Sequence, residues 1–277
     1  MVGLVPTTSA APAAEHKRAE TDIRIASYNI NYNVSQDVFE RAVDALLPRV
    51  HIAALQEVNL QPKHDHLINT YEGSGQWGYY NPPRFKGYQD GVAWRTDRFA
   101  ELSTTYRKIS PRWFIGNENP KVGRYQKAKY VTIVRLQDLL TQKLVTVINV
   151  HLINGAIRGG KMRPGMRRTY RLLVHQIGRL AAHVKNEQPI SHKLFVLGDF
   201  NIGYVYDKSE SNPRLVYKTM QRLGMKSNWA TEHPENRGTQ HKSLLDQIYS
   251  EKKALEAKVW FGFKFSDHRP AFGLYAG

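Results

Sequence analysis

The sequence predicts an α/β layered sandwich with many strands and few helices. Apolar runs of strand length recur along the chain, whereas helical periodicity is confined to a few segments. This pattern does not fit a strict strand–helix–strand repeat, and it favours stacked sheets with helices outside them. The 277 residues are 41% hydrophobic, which is enough for one large core. Because no linker-like stretch divides the interior, we expect a single domain over residues 22–277.

The strands are predicted from short apolar or alternating runs that are rich in β-branched and aromatic residues. These runs are 23–28, 52–56, 91–94, 130–135, 144–150, 193–197, 244–249 and 259–261. Two segments have helical spacing instead. One follows the N-cap candidate Ser35 and ends at Pro48, and the other is a basic segment from Met166 to Val184.

Polar side chains stand in or just after these runs, where a strand delivers them to a rim. They are Asn29, Glu57, His151, Asp199 with Asn201, Asp246, and Asp267 with His268. So many polar groups at strand ends make a poor core, and they favour a metal-assisted active site. Each group also has an ordinary structural alternative: Asp199 or Asn29 as a turn residue, His151 as a core histidine. Asp246 as a buried capping acid is an equally open alternative.

The charge of the chain favours a polyanionic partner. Lys and Arg number 40 against 24 Asp and Glu, which gives a formal net charge of +16. We expect nucleic acid first and an anionic membrane second, with general solubility as the ordinary alternative. The absence of cysteine excludes disulfides and thiolate chemistry, so a metal must use oxygen or imidazole ligands. No apolar run approaches the roughly 20 residues of a membrane span, and we expect no stable membrane association.

Two stretches concentrate the positive charge. The first contains Arg107, Lys108, Arg112, Lys121, Arg124, Lys127 and Lys129, with Tyr106, Trp113 and Tyr125 between them. The second follows His151 and contains Arg158, Lys161, Arg163, Arg167, Arg168 and Arg171. Such residues can bind a phosphate backbone, and the aromatic rings can stack on unpaired bases. Either stretch could instead be a solvated surface.

Residues 1–21 are predicted to be a flexible leader. They are rich in alanine, threonine and proline and then become charged. They lack the basic start and apolar stretch of a complete secretory signal, although residues 10–14 resemble the tail of a trimmed one. The sequence therefore leaves the compartment open between cytoplasmic and secreted.

Six short strings resemble, in order, the motifs of the endonuclease/exonuclease/phosphatase superfamily. They are Ser27-Tyr28-Asn29, Leu55-Gln56-Glu57, Val150-His151-Leu152, Gly198-Asp199-Phe200-Asn201, Leu245-Asp246-Gln247-Ile248 and Ser266-Asp267-His268-Arg269-Pro270. The superfamily includes pancreatic deoxyribonuclease, abasic-site endonucleases, sphingomyelinases and inositol-polyphosphate phosphatases. The resemblance runs from about Ile23 to the C-terminus. It implies a four-layer sandwich of two packed mixed β-sheets flanked by helices, the deoxyribonuclease-like fold.

The resemblance also implies a metal site at the rim. Glu57 would be the carboxylate ligand of Mg²⁺, with Mn²⁺ as the alternative ion, since Mg²⁺ prefers oxygen ligands and keeps several waters. Asn29 would lie beside the metal, and Asp267 would complete a second metal-facing side.

The remaining motif residues would carry the hydrolysis. By the resemblance, Asp199 and Asn201 would hold the attacking water, and Asn201 would also touch substrate. His268 would contact the scissile phosphate, with Asp246 accepting its other ring proton and fixing its orientation.

The resemblance also implies further substrate contacts from residues in the middle of the chain. His151 would act on the leaving-group side, as in the nuclease and sphingomyelinase branches, and Asp90 would be its carboxylate partner. Tyr88, in the string Tyr88-Gln89-Asp90, would touch substrate. Arg124 would contact a phosphate oxygen.

These features predict a metal-dependent, monomeric phosphodiesterase, foremost a DNA endonuclease of low sequence specificity, with DNA favoured over RNA. Asn31 stands where abasic-site endonucleases have a second acid, and those enzymes lack a histidine at the position of His151. Both differences favour the branch of pancreatic deoxyribonuclease, although its structural disulfide is absent. The alternatives are a phospholipid or inositol phosphate hydrolase and a catalytically silent nucleic-acid-binding relative. A lipid enzyme would need an apolar hairpin, for which residues 113–115 are the nearest candidate.

Overall fold

The body of the protein is a pair of six-stranded mixed sheets. The architecture is taken from a computed structural model, which describes residues 19–58, 60–83, 90–116, 123–210, 212–234 and 237–277. Within these ranges no helix is both long and apolar enough to cross a membrane.

The first sheet combines strands from both ends of the chain. Its members are β1 (Ile23–Asn29), β2 (Ile52–Gln56), β3 (Trp77–Tyr80), β4 (Asp90–Arg95), β15 (Glu256–Val259) and β16 (Ala271–Tyr275). Their order is β15-β16-β1-β2-β4-β3. The β1 and β2 pair is parallel and the others are antiparallel. The carboxyl ends of β1 and β2 therefore meet at the same edge.

The second sheet comes from the middle of the chain. Its members are β5 (Phe99–Ser110), β8 (Lys129–Asp138), β9 (Leu144–His151), β12 (Lys193–Asp199), β13 (Lys226–Ser227) and β14 (Asp246–Ser250). Their order is β13-β14-β12-β9-β8-β5, and only β9 and β12 are parallel. Again a central parallel pair brings two strand ends to one edge.

Helices and two short hairpins cover the sheets. The helices are α1 (Gln36–Leu46), α2 (Gln61–His66), α3 (Arg167–Glu187), α4 (Tyr204–Glu210) and α5 (Val216–Arg222). The hairpins are formed by β6 (Trp113–Ile115) with β7 (Arg124–Gln126), and by β10 (Ile157–Arg158) with β11 (Lys161–Met162). The Ser35 hydroxyl accepts from the Val38 amide and so caps α1 as predicted.

Three apolar layers hold these elements together. Between the sheets, Ile25 and Ile52 pack with Val147 and Leu197 in one buried cluster. A second cluster joins α1 to the outer face of the first sheet, and a third joins α3 to the outer face of the second. The resulting order of helix, sheet, sheet and helix confirms the predicted four-layer sandwich.

A polar seam crosses the apolar layer between the sheets just below the rim. Asn149 on β9 donates to the carbonyls of Leu55 (3.0 Å) and Gly91 (2.8 Å) on the first sheet. Gln56 in turn donates to Asn149 Oδ1 at 2.7 Å, and Ser27 donates to Gln56 at 3.3 Å. These side chains are fully buried, so their mutual hydrogen bonds fix how the two sheets face each other.

Two of the predicted elements differ from the structure. The late strand expected at 259–261 lies earlier, at Glu256–Val259. The Trp260 amide still donates to the Pro270 carbonyl opposite it, but Pro270 has no N–H to return the bond, and the Phe261 amide turns back to the Val259 carbonyl. The run 244–249 begins its strand only at Asp246, since the backbone of Leu244 and Leu245 pairs with the loop after β12.

Candidate active site

The parallel strand pairs deliver four polar side chains to one edge. Asn29 ends β1, and Glu57 directly follows β2, which is hydrogen-bonded beside it. On the second sheet His151 and Asp199 end β9 and β12 and are register partners. The polar seam holds the two sheets together directly below, and this brings the four side chains into one cleft.

Antiparallel strands contribute to the same edge from their first residues. Asp246 begins β14 opposite Asp199, and Asp90 begins β4 opposite Gln56. Lys129 begins β8, which runs antiparallel to β9. Strand starts and strand ends therefore meet at a single rim.

The backbone at this rim adopts conformations that side chains rarely tolerate. Glu57 and Asn201 have positive φ angles of 64° and 53°, and Asn31 has one of 23°. Gly198 has φ 147°, and a Cβ added there would lie 1.8 Å from the Val150 carbonyl oxygen. Only glycine fits that position of β12, and the close approach to β9 that it allows lets the strand end with Asp199 in the cleft. Such local strain clusters at functional sites.

Asn29 links the two carboxylates nearest the centre of the cleft. Its amide nitrogen donates to Glu57 Oε1 at 3.2 Å and to Asp199 Oδ2 at 3.1 Å. Asp199 also accepts from the Asn201 backbone at 2.8 Å and from the Asn201 amide at 3.3 Å. Burial raises the pKa of Asp199 to about 6, and Asp246 adds to this while His268 opposes it.

His268 lies deep in the cleft and is paired with Asp246. The ring Nδ1 is 2.7 Å from Asp246 Oδ2, and Nε2 is 3.9 Å from Asp199 Oδ2. Burial disfavours the imidazolium, but the carboxylates of Asp246 and Asp199 outweigh burial and raise the pKa of His268 to about 10. The raised pKa favours the imidazolium of His268 at neutral pH, and the predicted contact between His268 and Asp246 is formed.

His151 faces the same carboxylate, Asp199, but its ring is neutral. Its Nε2 is 3.6 Å from Asp199 Oδ2 and 4.0 Å from Glu57 Oε1. Burial, together with the charges of Lys129 and His268, holds the pKa of His151 well below its usual range. The cleft thus holds one neutral and one charged imidazole, a separation typical of acid–base machinery.

The predicted hydrogen bond between Asp90 and His151 is not formed. Within the described part of the chain, His151 Nδ1 and Asp90 Oδ1 are both buried and have no hydrogen-bond partner. Asp90 faces a different cation, Lys129, whose Nζ donates to the His151 carbonyl at 2.9 Å. Burial raises the pKa of Asp90 to about 7, and the charge of Lys129 opposes that rise.

Lys129 is a site residue that the sequence did not reveal. It was expected among the surface charges of the first basic stretch, yet only 7% of it is exposed. Burial lowers its pKa, while Asp90, Asp199 and Glu57 act in the opposite direction. Its position at the first residue of β8, opposite the carboxyl end of β9, was the signal that could have placed it at the rim.

The loop that carries Asn31 holds Glu57 from outside. The Tyr32 amide donates to Glu57 Oε2 at 2.8 Å. Beneath this loop the almost fully buried Lys63 donates to the carbonyls of Tyr32 (2.9 Å) and Asn31 (3.5 Å). Lys63 thus holds the backbone that positions Glu57. Like the role of Lys129, this role was not predicted from the sequence.

Asp267 is held at the mouth of the cleft by two amides. Asn31 donates to its Oδ1 at 2.9 Å, and Gln240 donates to its Oδ2 at 3.0 Å. The neighbouring Ser266 hydroxyl donates to the Asn29 carbonyl at 2.9 Å. Asn31, the residue that replaces the second acid of abasic-site endonucleases, therefore joins the Asp267 segment to the Glu57 loop.

Of the two predicted substrate contacts, only Arg124 lies among the described residues. It is exposed at the start of β7, and no hydrogen bond or salt bridge joins it to a cleft residue within the described ranges. Lys129 is a further cation near the cleft carboxylates. Tyr88 lies outside the described residues.

The cleft fits a hard divalent cation held mainly by water. Among the described residues no group of three or more His, Asp or Glu side chains is arranged to surround a metal. Mg²⁺ does not need such a cage, because it binds through one or two carboxylates and keeps its waters. The oxygens of Glu57 and Asp199 suit that ion. Burial raises the pKa of Asp199 and the charge of Asp246 adds to the rise, and a cation beside the carboxylate would oppose both.

This combination of fold and site matches a known family. The model of the Endonuclease/Exonuclease/phosphatase family matches residues 26–268. The chain belongs to this family, whose members are typically hydrolases of phosphodiester bonds and commonly use divalent metals. No curated protein sequence matches the chain significantly.

Solved structures share the fold at low sequence identity. D. rerio TDP2 complexed with single strand DNA product is 12% identical, with a TM-score of 0.62 and coverage of 93% of this chain and 100% of that one. The human Nocturnin catalytic domain with bound sulfate is 17% identical, with a TM-score of 0.59 and coverage of 93% and 95%. The endonuclease/exonuclease/phosphatase from Bacteroides vulgatus is 18% identical, with a TM-score of 0.59 and coverage of 93% and 100%.

Proposed function

We propose that this chain is a Mg²⁺-dependent nuclease that hydrolyses DNA phosphodiester bonds with little sequence preference. The observation that carries the proposal is the cleft itself. One buried carboxylate, Asp199, lies within 4 Å of two imidazoles, of which His151 is neutral and His268 is positively charged. Phosphodiester hydrolysis needs a base for water, a cation for the phosphoryl oxygens and a group at the leaving oxygen.

Asp199 is the proposed base. Its raised pKa, about 6, lies nearer neutrality than that of an ordinary aspartate, and this improves proton abstraction. Asn201 fixes the carboxylate through its backbone and side chain, and its own amide is held by the Leu152 carbonyl at 3.0 Å. The pair would orient a water in line with the phosphorus.

His268 is the proposed cation for the phosphoryl oxygens. Its Nδ1–H donates a hydrogen bond to Asp246, and this leaves Nε2–H of the imidazolium as a charged donor facing the cleft. His151, neutral and next to Asp199, would donate a hydrogen bond at the leaving oxygen. Lys129 would add positive charge behind His151, since its Nζ contacts the His151 backbone.

Glu57 would hold Mg²⁺, and Asn29 and Asp267 would lie on its water shell. A bound Mg²⁺ supplies charge stabilisation to the phosphoryl and leaving oxygens. Asn29 would keep Glu57 and Asp199 at a fixed spacing, because its amide contacts both. The amides of Asn31 and Gln240 would hold the Asp267 carboxylate toward the same side.

The choice of DNA over other phosphate esters rests on charge. A formal charge of +16 favours a polyanion, and D. rerio TDP2, a structure with this fold, was determined with single strand DNA. The apolar hairpin that a phospholipid enzyme would need finds no support in residues 113–115. Ile115 is buried, and the Trp113 ring packs 5.5 Å from the His175 ring on α3.

The test is nicking of supercoiled plasmid with Mg²⁺ and with chelator. We expect metal-dependent nicking that is lost in Glu57→Ala, Asp199→Ala and His268→Ala. Asp97→Ala is the matched control, since it removes an exposed acid that is paired with Arg95 outside the cleft. Full activity in the cleft variants, or none in a folded wild type, would refute the proposal; in the second case lipid and inositol phosphate esters are the next substrates to assay.

A further inference from the structure

Outside the cleft, guanidinium groups alternate with aromatic rings where the β6–β7 hairpin meets α3. The Arg168 guanidinium lies 5.0 Å from the Phe114 ring, and the Phe114 ring lies 5.2 Å from the Tyr125 ring. The Arg112 guanidinium in turn lies 4.1 Å from the Tyr125 ring. We call these four residues the platform. Planar groups of this kind are those on which nucleobases stack.

The platform is firmly attached to the protein. On the other side of β6, Trp113 packs against His175 of α3, and Ile115 is buried in the core of the second sheet. The Gly116 amide donates to the Thr169 hydroxyl at 3.1 Å. Tyr125 nevertheless remains 59% exposed. A fixed strand thus presents an aromatic ring to solvent, which limits the entropy lost on binding.

The surroundings of the platform are almost free of negative charge. No aspartate or glutamate occurs between Leu152 and Asn186, and Glu118 is the single acid between Leu102 and Gln137. Among the described residues, no salt bridge pairs a carboxylate with Arg112 or Arg168. Further exposed cations lie within a few positions of a platform residue along the chain: Arg107, Lys108, Arg124, Lys127, Arg167 and Arg171. This charge complements a phosphate backbone.

Chain connectivity places the platform beside the cleft. Lys129, whose ammonium contacts the His151 backbone, follows shortly after β7. The helix α3 connects the parallel strands β9 and β12, so its first turn, with Arg168, lies on the side where β9 ends at His151. A strand that leaves the cleft along this side would therefore run toward the platform.

We propose that the platform binds an unpaired nucleic-acid strand adjacent to the phosphate in the cleft. The arginines hold the backbone, and a base stacks on the exposed face of Tyr125. An unpaired strand is the partner because paired bases present only their edges to a protein, whereas stacking requires an open base face. The proposal rests on the proposed nuclease function, which it extends by naming a single-stranded segment of the substrate.

The experiment is fluorescence anisotropy with a labelled single-stranded oligonucleotide and its duplex, both in chelator so that no cleavage occurs. We expect Tyr125→Ala to weaken single-strand binding at least about fivefold, the lower end for loss of one base stack, and to change duplex binding little. Arg112→Gln and Arg171→Gln should weaken both and should each lower the salt slope for the single strand by about 0.7. The control is Lys252→Gln with Lys253→Gln, two exposed charges outside both basic stretches.

Two results would overturn the platform. One is single-strand binding that Tyr125→Ala leaves unchanged, and the other is an equal loss of affinity in the lysine control. Hydrolysis of bis(4-nitrophenyl) phosphate should stay at the wild-type rate in Tyr125→Ala, because a small ester does not reach the platform. Tyr125-dependent binding without plasmid nicking would refute only the nuclease. Nicking without Tyr125-dependent binding would refute only the platform.

Discussion

Two histidines in the cleft differ in charge: His151 is neutral, whereas His268 is a cation. Both rings are buried, and burial alone would leave both neutral. Asp246 makes the difference, because it accepts from His268 at 2.7 Å, whereas the corresponding nitrogen of His151 has no partner among the described residues. One hydrogen-bonded carboxylate therefore decides which imidazole is the cation.

Asp246→Asn should remove that distinction. An asparagine oxygen can still accept from His268, but the loss of charge lowers the pKa of His268 from its value of about 10 toward the ordinary one. We expect the alkaline limb of the pH–rate profile to move down by more than a unit and the rate at neutral pH to fall about 10²–10⁴-fold. An unchanged profile would show that the charge of His268 is not needed.

The same substitution gives a signature in stability. A histidine whose folded pKa is raised stabilises the fold fully below its unfolded pKa, about 6.5, and loses this contribution as the pH rises toward 10. The loss of unfolding free energy in Asp246→Asn should therefore be largest at about pH 6, where the carboxylate still carries its charge, and shrink as the pH rises toward 10. Urea unfolding at several pH values measures it, and a loss that grows with pH would contradict the assignment.

Among the secondary-structure elements, the end of β12 depends on one glycine. Gly198, the last residue but one of this strand, approaches the backbone of β9 so closely that no side chain fits between the two strands. The strand then ends with Asp199 in the cleft, and Asn201 follows it. The string Gly198-Asp199-Phe200-Asn201, one of the six motif strings, predicted this element from the sequence. A glycine before an acid at a strand end is visible in neighbouring residues.

Gly198→Ala should destabilise the protein by at least about 3 kcal/mol, because the new methyl group clashes with the Val150 carbonyl and the φ of 147° is strained for alanine. The matched control is Gly178→Ala on α3, where no atom lies within 4 Å of the added Cβ. The control should gain about 0.5–1 kcal/mol from helix propensity. Thermal unfolding measures the melting temperature of both variants. Similar shifts of that temperature in the two would contradict the requirement for glycine at position 198.

At the scale of the whole molecule, the two sheets share one site and must be held in register. The apolar layer between them drives packing, but hydrophobic contact has no direction. The seam through Asn149 and Gln56 supplies direction, since each hydrogen bond crosses from one sheet to the other or extends the network. Glu57 follows Gln56 directly, so the seam also sets the distance between the halves of the cleft.

Asn149→Ala should lower stability and activity together. It leaves the Gln56 amide and the carbonyls of Leu55 and Gly91 without their partner, which costs about 2–4 kcal/mol. Urea unfolding and nicking assays measure the two effects. Asn69→Ala, at an exposed asparagine, is the control. A change in Asn149→Ala no larger than in the control would show that the seam is dispensable.

The layered α/β class and the positions of the strongest strands could be predicted from the amino-acid sequence. Periodicity is local, so the run before His151 and the run that leads to Asp199 could be predicted from neighbouring residues alone. The polar residues at strand ends also pointed to a single rim. Asp199 and His268 do lie there with salt-bridge-range contact, although their catalytic roles remain a proposal.

Only the tertiary structure decided the partners of the buried charges. Asp90 was predicted to pair with His151 but faces Lys129, and Lys129 itself was expected on the surface. The physical reason is that burial and pairing depend on how two sheets pack across residues that are distant in the chain. A lysine at a strand start has the same local sequence whether the facing sheet buries it or leaves it in water, so its role is determined only when the sheets meet.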